Sequence, residues 1–432
     1  MNAEKTQSQG FDIIIGNPPY IDYRKIDGKT KTSLSETSSV YKKSKEGSIY
    51  VYFLERFLLM LADKGNVSFI NPIAYICQDS GKGIRIFIDN NLTLKQMLDV
   101  SNIKVFENAA TYTCVNIFSH KNKRTITKYG QTNDKDISHI QWKPIQNEKI
   151  ENLSVFLDSI SAKIFNANYP KLSDFCRIFC GLSKAGFRAD VSCIPSEINR
   201  KFLESSNIFK YSFKNAKFID KIKDYYTQEK INIFEKQELI FMARMIDSIR
   251  CCIAPNGYFG GKVNVLYQFN IDRKYILGIL NSRLMSYFYA KKYFASHMQG
   301  GAFGFDTLSV GSLPIPQITD SNRHIADKII ALVEAILAIN APSPTPPAKG
   351  GASICSSSVA GDFSPNSPSI KKGNSALIPP PSAEGVRGRG ESHTSQSLIL
   401  QRQIDSLVYQ LYNLNSKEIA IIESAQKAGG NI

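Results

Sequence analysis

The sequence predicts an α/β fold with a mixed sheet, followed by an α+β region and a closing pair of helices. Three observations predict it. Phe11 to Ile15 is a continuous apolar run rich in β-branched residues, ended abruptly by Gly16-Asn17-Pro18-Pro19-Tyr20. Such a run, without polar alternation, suits a parallel strand covered on both faces. Second, Tyr50, Phe53, Leu54, Phe57, Leu58 and Leu61 recur at helical spacing, and the apolar stretch Val67 to Ile70, closed by Asn71-Pro72, follows. Third, the 432 residues are 43% hydrophobic, enough for two cores.

The tetrapeptide Asn17-Pro18-Pro19-Tyr20 falls at the carboxyl end of the first strand, where open α/β sheets bind ligands. Its chemistry suits an exocyclic amine. The Asn17 carboxamide oxygen can accept one N–H, and the Pro18 carbonyl can accept the other. Two fixed acceptors would localise the amine lone pair and aim it at an electrophile. The prolines hold φ near −65°, and Pro19 keeps Pro18 out of the helical region, so the acceptors are rigid beforehand. Tyr20 offers a flat face to a base taken out of its stack. The competing reading is a Pro-Pro turn with Asn17 as an ordinary turn residue.

The remaining elements are read in order. Residues 21–50 are polar, basic and rich in Ser and Thr, as in a surface loop, and Lys42, Lys43 and Lys45 could meet phosphates there. Tyr50 to Ala62 is a helix ended by Gly65, Val67 to Ile70 a buried strand, and Gly83 to Asn90 a helix. Leu98 to Ser101 and Cys114 to Ser119 are two strands that would pair antiparallel and close one edge of the sheet. Residues 142–162 lead into a second region containing an apolar helix, Tyr275 to Tyr289. Arg323 to Asn340 is an amphipathic helix, and Leu398 to Leu411 another. Between them, residues 341–397 hold nine of the 18 prolines and read as a disordered low-complexity insertion.

FDIIIGNPPY resembles motif IV of the amino-methylating DNA methyltransferases, in particular the adenine-N6 class of type II restriction-modification systems. GNVSFINPIAYI is similar to the strand-and-proline motif that follows it in that family. VFENAATYTCVNIFSH is similar to the last motif of the catalytic domain, and by position Phe118 matches the aromatic that helps hold the flipped adenine. By periodicity alone Phe118 reads equally well as a core residue. The order of segments ending on Leu313-Pro314-Ile315-Pro316 resembles the target-recognition domain of the same enzymes. The resemblance implies methyl transfer from S-adenosylmethionine to adenine N6, with Asn17, Pro18, Pro19 and Tyr20 catalytic. It also implies the C-terminal part of a Rossmann-like methyltransferase sheet in residues 1–150 and a target-recognition domain in 163–320. Helices in 321–340 and 398–432 would form a hairpin.

The formal net charge of +15 favours an acidic partner, and double-stranded DNA is the evident one. Lys184, Arg188, Lys262, Lys291 and Lys292 are the candidate DNA contacts, although each singly reads as well as a surface cation. The eight cysteines, Cys77, Cys114, Cys176, Cys180, Cys193, Cys251, Cys252 and Cys355, form no zinc set and suit reduced thiols in a cytoplasmic protein. No stretch has the length and apolarity of a membrane span.

One part of the pattern is not met. The cofactor loop of such enzymes is a glycine-rich strand-to-helix turn, with an acidic residue one strand later. FCGLSKAGF and GGAFGF are the nearest strings, and neither has that context. The expectation is an adenine-N6 methyltransferase that is truncated or split, with a second chain supplying the cofactor half. The isolated chain would then bind DNA without methylating it. The alternatives are a non-catalytic DNA-binding specificity subunit and a decayed fragment.

Overall fold

A computed structural model describes residues 10–43, 47–76, 81–103, 105–106, 112–121, 127–132, 134, 136–145, 157–182, 190–196, 199–293, 303–341 and 390–427. The chain opens with β1 (Phe11–Gly16), α1 (Gly28–Thr37), α2 (Ser39–Lys43), α3 (Ile49–Leu58) and β2 (Leu61–Pro72). It continues through α4 (Lys82–Asn91), β3 (Leu92–Asp99), β4 (Thr113–His120), β5 (Thr127–Gln131) and β6 (Lys143–Ile145). The six strands form one mixed sheet in the order β1-β2-β4-β3-β5-β6. β1 runs parallel to β2, whereas β4 is antiparallel to both β2 and β3. An antiparallel pair is present, but its first strand is Leu92–Asp99 where Leu98 to Ser101 was expected, and it does not end the sheet, because β5 and β6 continue beyond β3.

β1 departs from the expectation of a strand buried on both faces. Phe11 is 57% exposed, Ile13 69% and Ile15 80%, while Ile14 is 9% exposed. The strand alternates because only one face is covered. Ile14 joins the core with Leu54, Leu58, Val67, Phe69, Ile84 and Ile88, so α3 and α4 back that side. The other edge of β1 has no strand beside it among the described residues.

Gly65 does not terminate a helix. α3 ends at Leu58, and Gly65 lies within β2, where the pairing jumps from Phe11↔Leu61 to Ile13↔Asn66. A Cβ there would stand 2.6 Å from the Phe11 carbonyl oxygen, so the bulge requires glycine. The stretch expected as a loop also folds. Asp27 caps α1 by accepting from the Thr30 N–H, and α1 buries none of its residues. The buried Glu55 carboxylate of α3 accepts from the Ser39 and Val40 N–H groups at the start of α2. Lys42 and Lys43 end α2, and Lys45 lies outside the described residues.

The second region contains α5 (Ser159–Asn166), α6 (Leu172–Phe175), β7 (Arg177–Cys180), β8 (Val191–Ser192), β9 (Arg200–Glu204), β10 (Ile208–Phe209), β11 (Ser212–Phe213) and β12 (Lys217–Ile219). There follow α7 (Ile222–Tyr225), α8 (Gln228–Lys236), β13 (Leu239–Ala243), β14 (Met245–Ile246), β15 (Cys251–Ala254), β16 (Tyr258–Gly261) and β17 (Val263–Tyr267). Two four-stranded sheets result, β15-β13-β17-β7 and β16-β9-β12-β8, with β10 and β11 as a separate hairpin. The expected helix over Tyr275 to Tyr289 is two helices, α9 (Arg273–Asn281) and α10 (Arg283–Lys292). Ser282 separates them: its backbone is extended and its side chain caps α10 by accepting from the Met285 N–H.

β18 (Phe303–Gly304), α11 (Thr307–Gly311), α12 (Arg323–Asn340), α13 (Gly390–Leu411) and α14 (Ser416–Lys427) complete the chain. α12 has the expected bounds and buries Ala326, Ile329, Val333 and Ile336, with Ile404 and Val408 of α13 in the same core. Asp405 of α13 accepts from the Arg283 N–H at the start of α10 and pairs with its guanidinium. Of the expected insertion, residues 342–389 lie outside those described, whereas 390–397 are helical and belong to α13, which starts before the expected Leu398.

Candidate active site

The residues after β1 stand where the sequence put them, at the carboxyl end of two parallel strands. Gly16 brings the chain against β2, since a Cβ on it would lie 2.7 Å from the Phe69 ring. Beyond it, Asn17 is exposed, Pro18 buried, Pro19 exposed and Tyr20 half-buried. The exposed Asn17 carboxamide is therefore reachable from solvent, and the buried Pro18 ring anchors the turn.

Tyr20 is held from several sides. Its hydroxyl donates to the Ile70 carbonyl at 3.0 Å, which ties the turn to the end of β2. Its ring meets Tyr50 of α3 edge-on at 6.2 Å and Phe106 edge-on at 6.2 Å. One residue on, the Ile49 N–H donates to the Ile21 carbonyl at 2.9 Å. Burial, with Cys114 nearby, pushes the Tyr20 phenol up to about 12, so it stays a neutral donor at physiological pH. The end of β2 is itself fixed by a buried amide network. The Asn116 amide donates to the Asn71 side-chain oxygen at 2.9 Å, and the Tyr75 hydroxyl donates to the Asn116 side-chain oxygen at 3.1 Å. All three residues are buried, and the Asn71 amide completes the network by donating to the Pro72 carbonyl at 3.0 Å.

Phe118 is a core residue of β4. It is 0% exposed and sits on β4 between Val67 and Leu94, within the core. The alternation explains why. Cys114, Asn116 and Phe118 share one side of β4 and all three are fully buried. The aromatic beside Tyr20 is Phe106, in the loop before β4 and within the same VFENAATYTCVNIFSH segment. The sequence pattern of β4 does not single out the Phe118 face, because Asn116 lies on it and Val115 and Ile117 lie on the other.

The expected DNA contacts fare unequally. Lys184 and Arg188 lie outside the described residues. Lys262 is exposed, with its backbone in the left-handed region. Lys291 is exposed, with its ammonium 5.5 Å from the centre of the Tyr287 ring. Lys292 is only 8% exposed and does not reach the surface. Its ammonium donates to the Ser312 hydroxyl at 3.0 Å and lies among the Phe165, Phe288 and Tyr293 rings, so it acts in the core.

Among the described residues no cluster of His, Cys, Asp and Glu is placed to hold a metal ion, and no helix is long and apolar enough to cross a membrane. Phe303-Gly304 of the GGAFGF string pairs with β14, and Phe179-Cys180 of FCGLSKAGF belongs to β7.

Residues 2–106 match the Eco57I restriction-modification methylase family, and residues 200–315 match the TaqI-like C-terminal specificity domain. Among curated proteins, the type II restriction enzyme and methyltransferase RM.Eco57I of Escherichia coli is 32% identical over 120 residues. That match covers 28% of this chain and 12% of the relative. The type II methyltransferase M.AccI of Acinetobacter calcoaceticus is 23% identical over 269 residues, covering 62% of this chain and 40% of the relative. Among solved structures, the type IIL restriction-modification enzyme MmeI, solved in complex with DNA, is similar in fold. It has a TM-score of 0.56 at 10% identity over 96% of this chain and 57% of its own. The chain thus carries an Eco57I-like restriction-modification methylase region and a TaqI-like specificity domain, on a mixed α/β fold. It spans well under half the length of the curated relatives named.

Proposed function

We propose that the chain is the catalytic-motif and specificity part of a site-specific DNA methyltransferase that modifies adenine N6, with S-adenosylmethionine as methyl donor. The observation that carries the reading is the turn Asn17-Pro18-Pro19-Tyr20, seated at the carboxyl end of β1 and tied to β2 through Tyr20 and Ile70. Asn17 accepts one N–H of the target amine, and the Pro18 carbonyl accepts the second. Tyr20 provides a wall for the extruded base, with Phe106 bracing it edge-on. The two acceptors act by orientation and by favouring the amine's developing positive charge. When bound, S-adenosylmethionine supplies an electrophilic methyl group.

In this reading residues 1–150 form part of the methyltransferase domain and residues 163–320 read the DNA. The helices of 321–340 and 390–427 close the structure, and 342–389 is an insertion. The cofactor-binding half comes from polypeptide outside these 432 residues and docks beside β1. The free edge of that strand and its bare Phe11, Ile13 and Ile15 support this placement. Methyl transfer to duplex DNA by the reconstituted enzyme, with the methylated base identified, tests the proposal.

A further inference from the structure

The sheet β16-β9-β12-β8 carries a cross-strand row that nothing above employs. Tyr258 pairs with Lys201, Lys201 with Phe218, and Phe218 with Ser192, so the four side chains share one face. The Lys201 ammonium lies 5.0 Å from the centre of the Tyr258 ring. Phe213 of the β10–β11 hairpin meets Tyr258 edge-on at 5.1 Å. Lys201 is exposed, and Tyr258, Phe213 and Phe218 are half-buried. Glu204, the one acidic residue of β9, is engaged by Lys217 at 2.6 Å. Lys201 has no acidic partner among the described residues.

The row therefore presents an uncompensated cation between aromatic rings, on a chain of net charge +15. Rings left partly in water on a sheet face forgo burial free energy, and such a patch suits a binding surface. A phosphodiester fits its chemistry: the ammonium meets the phosphate, and the rings pack on the adjoining sugars. With no carboxylate in the row, an anionic polymer is favoured over a mixed-charge protein surface.

We infer that the face formed by Lys201, Phe213, Phe218 and Tyr258 contacts the backbone of duplex DNA, with Lys201 on one phosphate. This rests on the DNA-methyltransferase reading and specifies where its specificity region meets the substrate.

The test is fluorescence-anisotropy binding of residues 1–432 to a labelled duplex over a series of salt concentrations, for the wild type, Lys201→Gln and Lys201→Arg. Loss of one phosphate contact reduces the slope of log affinity against log salt by about one, whatever the DNA sequence. Lys201→Gln should show that reduction, and Lys201→Arg should keep the wild-type slope. Because Lys201 is exposed, the melting temperature of both variants should match the wild type and serves as the control for folding. A wild-type slope in Lys201→Gln, while the wild-type protein binds DNA, overturns this inference alone. Wild-type protein that binds no duplex overturns the DNA reading and this inference with it.

Discussion

The Tyr20 hydroxyl donates to the Ile70 carbonyl at 3.0 Å, and this bond joins the turn after β1 to the end of the neighbouring parallel strand. Tyr20→Phe keeps the ring and removes the bond. It should lower stability by about 1 kcal/mol, the usual net value of one hydrogen bond. Tyr20→Ala also loses the edge contacts with Tyr50 and Phe106 and should cost about 1 kcal/mol more for each ring pair. Urea-unfolding midpoints measure both. Equal midpoints for all three proteins would mean that the tether does not hold the turn.

The bare face of β1 gives a second expectation. Ile13 and Ile15 point away from the core, so Ile13→Lys and Ile15→Lys should shift the stability of residues 1–432 by no more than about 0.5 kcal/mol. Ile14→Lys, on the covered face, should prevent folding. The two tolerated variants should bind a polypeptide carrying the cofactor half at least about tenfold more weakly, a loss of about 1.4 kcal/mol. Calorimetric titration of that polypeptide reads the effect. Undiminished binding would place the cofactor half elsewhere.

A third expectation concerns residues 342–389. α12 and α13 share one core, with Ile329 and Val333 beside Ile404 and Val408. Replacing 342–389 by a short Gly-Ser linker from Ala341 to Gly390 should leave the melting temperature unchanged or slightly raised, because a shorter loop costs less closure entropy. A fall of many degrees would show that the segment packs on the rest of the chain.

How much of this was legible follows from what each element depends on. α12 was readable to its bounds because its apolar spacing and its burial are both local to Arg323–Asn340. The catalytic turn was readable because Gly16 and the two prolines constrain the backbone wherever they stand. β1 was placed correctly and its burial was not, since an apolar run reads alike whether or not polypeptide covers its second face. α2 was missed because its cap is Glu55, a carboxylate from α3 that no local pattern announces. The split of the long apolar helix into α9 and α10 was hidden because Ser282, its breaker and cap, lies within an otherwise favourable stretch. Phe118 was ambiguous because an aromatic on a strand fits both a core and a base-binding role. The structure buries it fully beside Cys114 and Asn116.

The central claim concerns Asn17 as an acceptor for the target amine, and one assay addresses it directly. Residues 1–432, assembled with the polypeptide that carries the cofactor half, are incubated with duplex DNA and radiolabelled S-adenosylmethionine, and the digested nucleosides are separated. The wild type should place the label on adenine as N6-methyldeoxyadenosine. Asn17→Ala should lower the rate about 10²-fold or more, as for removal of one transition-state hydrogen-bonding partner. Its DNA affinity should be unchanged, because phosphate contacts dominate binding. Label on cytosine, or near-normal adenine methylation by Asn17→Ala, would contradict the account.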